Sequence, residues 1–313
     1  MRWKGRRESE NVEDMRGASG GGFRFPFPGR GRGQGGGMPV GRRAKGGGIG
    51  IGGIILILIV SYIFGINPME LLQGGGGGMA PQPGQPRTTQ QPPARQSAAE
   101  KDLVSFVSVV LADTEDAWHD LFNKIGKRYE EPKLVLFSGS VRSACGFAQA
   151  AMGPFYCPGD RKVYIDLSFY KEMKQKFNAP GDFAQAYVIS HEVGHHVQTL
   201  LGISQKVQQA KQRSGKAAAN AIQVRMELQA DCFAGVWAHH ADRAKSILQD
   251  GDVEEALNAA HAIGDDTLQK RSQGYVVPDS FTHGSSAQRM RWFKIGLSQG
   301  RINACDTFNA SNL

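Results

Sequence analysis

The 313-residue sequence is narrowed first by what it lacks. It has four cysteines and no Cys-x-x-Cys pair, which argues against a zinc knuckle or a redox motif. No internal repeat is evident. Beyond residue 45 there is almost no charge imbalance. The first 45 residues hold eleven Lys/Arg against four Asp/Glu, which accounts for seven of the eight net positive charges. A basic-substrate or nucleic-acid role for the remainder therefore has no support in its charge. Charge is also absent from Gly46 to Gly65, a run containing Ile54-Ile55-Leu56-Ile57-Leu58-Ile59-Val60. As a helix this run would extend about 30 Å, the thickness of a bilayer's hydrocarbon core.

These shifts divide the chain into four parts. Residues 1–45 read as a basic, Gly/Arg-rich, disordered tail, with Gly29-Arg30-Gly31-Arg32-Gly33 as its densest piece. Residues 46–66 read as a transmembrane helix, and the long preceding region argues for an uncleaved anchor over a signal peptide. Arg42, Arg43 and Lys45 abut its front end and no basic cluster follows it. The expectation is a single-pass inner-membrane protein with a cytoplasmic N-terminus and an extracytoplasmic C-terminal domain. Residues 67–98 are rich in Gly, Pro and Gln and read as a tether. Residues 99–313 are long enough for a sizeable core.

Within that domain, Leu103, Phe106, Val107, Val110, Leu111, Trp118, Leu121 and Phe122 recur at helical spacing between Glu100 and about Lys127. Lys133 to Phe137 and Lys162 to Leu167 read as strands, separated by a turn-rich stretch from Gly153 to Asp160. The second strand is either the edge along which a peptide lies or ordinary core sheet. Helical composition runs from Asp182 to Leu200, from Ser204 to about Ala241 with a break at Ser214-Gly215, and from Val253 to Ala262. A last helix spans about Ala287 to Leu297, capped by Ser285 or Ser286. The fold class is α+β, mostly helical with a small sheet.

The chemistry concentrates in Ser190-His191-Glu192-Val193-Gly194-His195-His196. Residues four apart on a helix differ by only about 40° in direction, so His191 and His195 face one way. Two such imidazoles can grip one Zn²⁺, and Glu192 can reach a water held on the metal. In the next helical run, Glu227 and Asp231 are again four apart. Glu227 can complete a His₂Glu site, and Asp231 can accept the free ring N–H of a ligand histidine. A three-histidine layout would need Gly at 198 and His at 201, where the chain has Gln198 and Leu201. His196 is rotated about 100° from His195 and reads as a packing or supporting residue. His119, His239, His240 and His261 show no ligand spacing.

Several pieces together resemble the putative neutral zinc metallopeptidase family of bacterial membrane-anchored proteins. They are Arg2-Trp3, Asn11-Val12-Glu13-Asp14, the single uncharged span and the Cys145 to Cys157 segment. To these are added His-Glu-Val-Gly-His-His, Glu-Leu-Gln-Ala-Asp-Cys, and Pro-Asp-Ser-Phe-Thr-His-Gly with the Arg and Trp that follow. The resemblance runs essentially end to end. It implies a zincin-like domain of the gluzincin type with His191, His195 and Glu227 on Zn²⁺ and Glu192 as the catalytic base. The implied activity is hydrolysis of a peptide or protein substrate. A non-catalytic adaptor on the same fold and an RNA-associated protein acting through the Arg/Gly tail are the rivals. The oxyanion needs a further donor; His283 is the first candidate and Tyr275 the second, while Arg289 and Arg291 read as structural pairs. Four cysteines in an exported domain suggest two disulfides with three connectivities open. The expected pairing is Cys145–Cys157 and Cys232–Cys305.

Overall fold

The computed structural model describes residues 1–17 and 97–313. The described chain is mostly helical with a small sheet. β1 (Val12–Asp14) precedes α1 (Ala98–Lys124), β2 (Lys133–Phe137) and a hairpin of β3 (Ser140–Ser143) and β4 (Gly146–Gln149). β5 (Phe155–Cys157) and β6 (Lys162–Asp166) complete the strands. The helices α2 (Ser168–Gln175), α3 (Asp182–Leu200), α4 (Ile203–Gln212), α5 (Lys216–Lys245), α6 (Asp252–Ala262), α7 (Asp265–Gln273) and α8 (Ser286–Gln299) follow.

The four-stranded sheet has the order β1-β2-β6-β5. β1, β2 and β6 run parallel, with Leu134 opposite both Val12 and Val163, and β5 runs antiparallel to β6. Lys162 to Asp166 is thus an interior strand, and one edge of the sheet belongs to β5, inside the stretch that reads as turn-rich in the sequence. Burial on both faces explains the unbroken apolar runs of β2 and β6. One face packs on the helices, where Trp118, Phe183, Phe233, Trp237 and Phe293 are buried. The other carries a smaller cluster of Val135, Phe137, Val141, Ala148, Cys157 and Tyr164 under the hairpin.

Helix boundaries follow local chemistry. Ser97 with Glu100, and Ser285 with Gln288, form reciprocal capping boxes that satisfy N-terminal amides of α1 and α8. α3 lacks such a side chain at its own start. Instead Glu255 of α6 accepts the Phe183 N–H at 3.0 Å, in space that a Cβ at Gly181 would occupy. α7 is too polar to show a helical stripe in the sequence, whereas the short α2 does carry one, burying Tyr170 and Met173 three residues apart.

The N-terminal segment departs from expectation. Residues 1–17 are not a disordered tail but part of the folded domain. β1 supplies the sheet's other edge, and Trp3 packs edge-on against Phe106 with ring centroids 5.4 Å apart. The Met1 amino group pairs with Asp182 at 2.5 Å and Asp252 at 3.2 Å. Arg6 reaches Asp113, and Arg7 reaches Glu115 and Asp116. Arg6 and Arg7, which look like tail charge in the sequence, compensate acids of α1.

This arrangement also corrects the expected localisation. Among the described residues no helix is long and apolar enough to cross a membrane. The segment expected on the cytoplasmic side shares a sheet and ion pairs with the domain expected on the far side. The uncharged run at 46–66, the tether at 67–98 up to residue 96, and most of the Arg/Gly tail lie outside the described residues.

Glu115 is the buried anchor of this segment, accepting from Ser9 Oγ at 2.5 Å, Asn11 Nδ2 at 3.0 Å and Arg7 Nη1 at 3.0 Å. Glu115→Ala should lower the unfolding free energy by about 2–4 kcal/mol, since it strands several donors at once. Denaturant titration measures this. A loss under about 0.5 kcal/mol, the scale of an ordinary surface substitution, would mean that the segment is not integral to the fold.

Candidate metal centre

α3 and α5 cross at their motif residues, and small side chains set how closely. A Cβ at Gly194 would lie 3.0 Å from the Ala230 carbonyl oxygen, so any larger residue would push the two backbones apart by a few tenths of an ångström. That approach brings the side chains of His191, His195 and Glu227 together. Nε2 of each histidine lies 3.3 Å from Glu227 Oε2. Donors about 2.0–2.2 Å from a tetrahedral zinc would be separated by about 3.4 Å. The spacing therefore fits the metal, and the three ligand atoms all fall within 4.8 Å of one another.

Each ligand atom is aimed by a second contact. His191 donates from Nδ1 to Asp231 Oδ1 at 2.8 Å, which leaves Nε2 for the metal side. Asp231 is fully buried on α5 and accepts three further bonds: from Tyr187 Oη at 2.5 Å, Arg289 Nε at 2.9 Å and Arg289 Nη2 at 2.9 Å. Arg289 comes from α8 and is itself buried, so it forms a paired charge in the core. His195 donates from Nδ1 to Gln198 Oε1 at 2.9 Å, and Gln198 is held by the Met226 carbonyl and Gln229. Gln223 donates to Glu227 Oε1 at 2.6 Å and frees Oε2 for the site.

The disulfides are Cys145–Cys157 and Cys232–Cys305. The second ties the C-terminal segment to α5 just after Asp231. The Cys305 carbonyl accepts from Gln229 Nε2 at 2.9 Å, so a hydrogen-bonded chain runs from this bridge through Gln198 to His195. The first ties the β3–β4 turn to the free edge strand.

A cleft of about 460 Å³ opens over the site, lined by Phe155 and Tyr156 of β5 as well as His191, Glu192, His195 and Glu227. Glu192 is only 8% exposed, yet among the described residues no hydrogen bond or ion pair engages its carboxylate. His283 also lines the cleft, with Nδ1 3.2 Å from Asp265 Oδ1. Asp265 Oδ2 in turn accepts the backbone N–H groups of Thr282, His283 and Gly284. Tyr275 is exposed and does not line the cleft. Arg291 reaches the Leu313 carbonyl, and His119, His239 and His240 bond Glu131 and the carbonyls of Leu297 and Gly300. A second acidic group, Asp182, Asp252 and Glu255, already pairs with the Met1 amino group and the Phe183 amide.

A family model described as "Putative neutral zinc metallopeptidase" matches residues 1–308. The chain belongs to this family. It is 52% identical over 319 residues to the uncharacterized protein YpfJ of Escherichia coli (strain K12), covering 99% of this chain and 100% of that one. It is 41% identical over 222 residues to the uncharacterized protein Rv2575 of Mycobacterium tuberculosis (strain H37Rv), covering 68% and 74%. No solved structure matches. The family description names zinc, in agreement with the two-nitrogen, one-carboxylate donor set.

Helical spacing in the sequence singles out His191, His195, Glu227 and Asp231 as candidates, whereas it does not single out Tyr187, Gln198, Gln223 or Asp265, and Arg289 reads as a structural pair. Three of these carry a usable signal: Tyr187 stands four before His191, Gln198 three after His195 and Gln223 four before Glu227. Arg289 and Asp265 arrive from separate helices and carry no local sign.

Electrostatics set a pH dependence. Burial alone would lower the His191 pKa, but Asp231 and Glu227 outweigh it and lift the ring to about 10. His195 is likewise raised, by Glu227 against the effect of burial. Without metal, these pairs stabilise the fold fully below the unfolded histidine value near 6.5 and lose that contribution as pH rises through the raised values. Metal capture must displace the same protons, so its affinity runs the opposite way. The apparent affinity for Zn²⁺ should tighten by at least about tenfold per pH unit from pH 6 to 8. A competitive chelator titration reads this, and a flat profile would contradict it. Asp231→Ala should weaken affinity about 10- to 100-fold at fixed pH.

Proposed function

We propose that the protein is a zinc metallopeptidase, a zincin-like domain of the gluzincin type that hydrolyses peptide bonds in the cleft beside β5. The observation that carries this reading is the convergence of His191, His195 and Glu227 at zinc spacing, beside a buried carboxylate, Glu192, that makes no hydrogen bond among the described residues. His191, His195 and Glu227 would hold Zn²⁺, which supplies a Lewis acid for the scissile carbonyl and lowers the pKa of an attacking water.

The remaining work falls to side chains. Glu192 is free to take a proton from the attacking water and return it to the leaving amine. An engaged carboxylate could not do this without breaking its existing pair. His283 is the candidate donor to the developing oxyanion, with Asp265 holding its Nδ1 side and its backbone. A peptide can add to the sheet along β5, which has a partner on one side only. The other lining residues include Phe169, Phe177, Val188, Ile263 and Leu268, so the walls favour a substrate with bulky apolar side chains flanking the bond.

Glu192→Gln should keep one zinc per chain, read by elemental analysis, and abolish hydrolysis of a peptide library read by mass spectrometry. His283→Ala should keep zinc and lower kcat by about 100- to 1000-fold, the usual consequence of losing an oxyanion donor. If wild-type protein with full zinc content cleaves no peptide, the adaptor reading replaces this one. If Glu192→Gln empties the site, its role as base is wrong.

A further inference from the structure

His196 follows His195 on α3 and is fully buried. Its two ring nitrogens face different elements. Nε2 lies 2.6 Å from the Glu130 carbonyl oxygen, an atom that can only accept, so Nε2 carries the proton. In the neutral ring Nδ1 is then an acceptor, and the Tyr156 hydroxyl 3.1 Å away donates to it. The rings of Tyr129 and Tyr156 meet this imidazole edge-on, with centroids 5.8 and 5.5 Å away.

Tyr156 is the central residue of β5. Strand alternation sends Cys157, and Phe155 with it, to the face under the hairpin, and Tyr156 to the helical face. β5 is short and one-sided: three residues pair with β6, and among the described residues no strand lies on its outer edge. So short a ladder fixes a strand weakly. Beyond the ladder, β5 is held to the fold by the bridge at Cys157, by the stacking of Phe155 on Tyr164, and by Tyr156, whose hydroxyl meets His196 and Thr199 on the helix of the metal site.

We propose that His196 is a positioning residue that acts through the Tyr156 hydroxyl. It holds β5 as a preformed edge at a fixed height against the metal-site helix. An extended peptide that pairs with β5 then meets ordered backbone donors and acceptors whose register to His191, His195 and Glu227 is already set. Without the contact, the substrate must order the strand as it binds. That cost weighs equally on the ground state and the transition state, so it falls on KM and not on kcat. The contact itself is a statement about the fold, whereas its effect on KM rests on the peptidase reading above.

The test uses the zinc-loaded full chain and three variants: Tyr156→Phe, His196→Gln and His196→Asn. Gln places its amide where Nε2 lies and keeps the Glu130 contact. Asn places an acceptor near Nδ1 and keeps the Tyr156 contact. Amide hydrogen exchange over residues 153–159 should accelerate about tenfold, the effect of one lost hydrogen bond, in Tyr156→Phe and His196→Gln. It should stay near wild type in His196→Asn. KM for a peptide long enough to pair with β5 should follow the same order, with kcat and zinc content unchanged.

A purely structural role would lower thermal stability in all three variants without this split. Unchanged exchange in Tyr156→Phe, or equal KM effects in His196→Gln and His196→Asn, overturns the proposal. If wild-type protein proves inert on peptides, the peptidase reading fails on its own account. Amide exchange in the same variants then decides the positioning role, supporting it if accelerated and overturning it if not.

Discussion

A single buried carboxylate, Asp231, joins the fold to its chemistry. Fully removed from water, it survives as an anion because four donors surround it: Tyr187, His191 and two nitrogens of Arg289. Burial would raise its pKa, but Arg289 and His191 outweigh that and lower it to about 2. An isolated charge in that position would be untenable, and a pair with only one partner removed is strongly destabilising. The same four bonds connect α3, α5 and α8. The aim of His191 into the candidate metal site and the docking of three helices are thus one problem, solved once.

The rest of the molecule extends this constraint outward. Gln198 and Gln223 fix His195 and Glu227 from within their own helices, and the Cys232–Cys305 bridge anchors the hydrogen-bonded chain behind His195. At the far side of the sheet, β1 and the arginines around it neutralise Asp113, Glu115 and Asp116 of α1. The start of α3 is held by Glu255 and, through Asp182, by the Met1 amino group. The helix that carries the histidines is therefore buttressed by residues from both ends of the chain.

How much of this was legible in the sequence depended on the range of the interaction. His191, Glu192, His195, Glu227 and Asp231 were readable because each group lies within one helical turn, where spacing alone fixes direction. β2 and β6 were readable from their apolar runs, and the Ser285 cap from its local pattern. β5 was hidden because three residues between turns give no period to detect. β1 was hidden because its neighbours are charged and glycine-rich, and their burial depends on acids more than a hundred positions away. The same composition produced the expectation of a disordered tail on the opposite side of a membrane, which the shared sheet overturns. Arg289 reads only as a structural pair on the last helix, since nothing local marks Asp231 as its partner.

The claim on which everything else rests is that His191, His195 and Glu227 form one metal site. Crystallographic data on zinc-loaded full-length protein, collected on both sides of the zinc absorption edge, test it directly. The anomalous difference map should show one peak, about 2.0–2.2 Å from Nε2 of both histidines and from a Glu227 carboxylate oxygen. No peak there, or a peak at Asp182, Asp252 and Glu255 instead, would contradict the account.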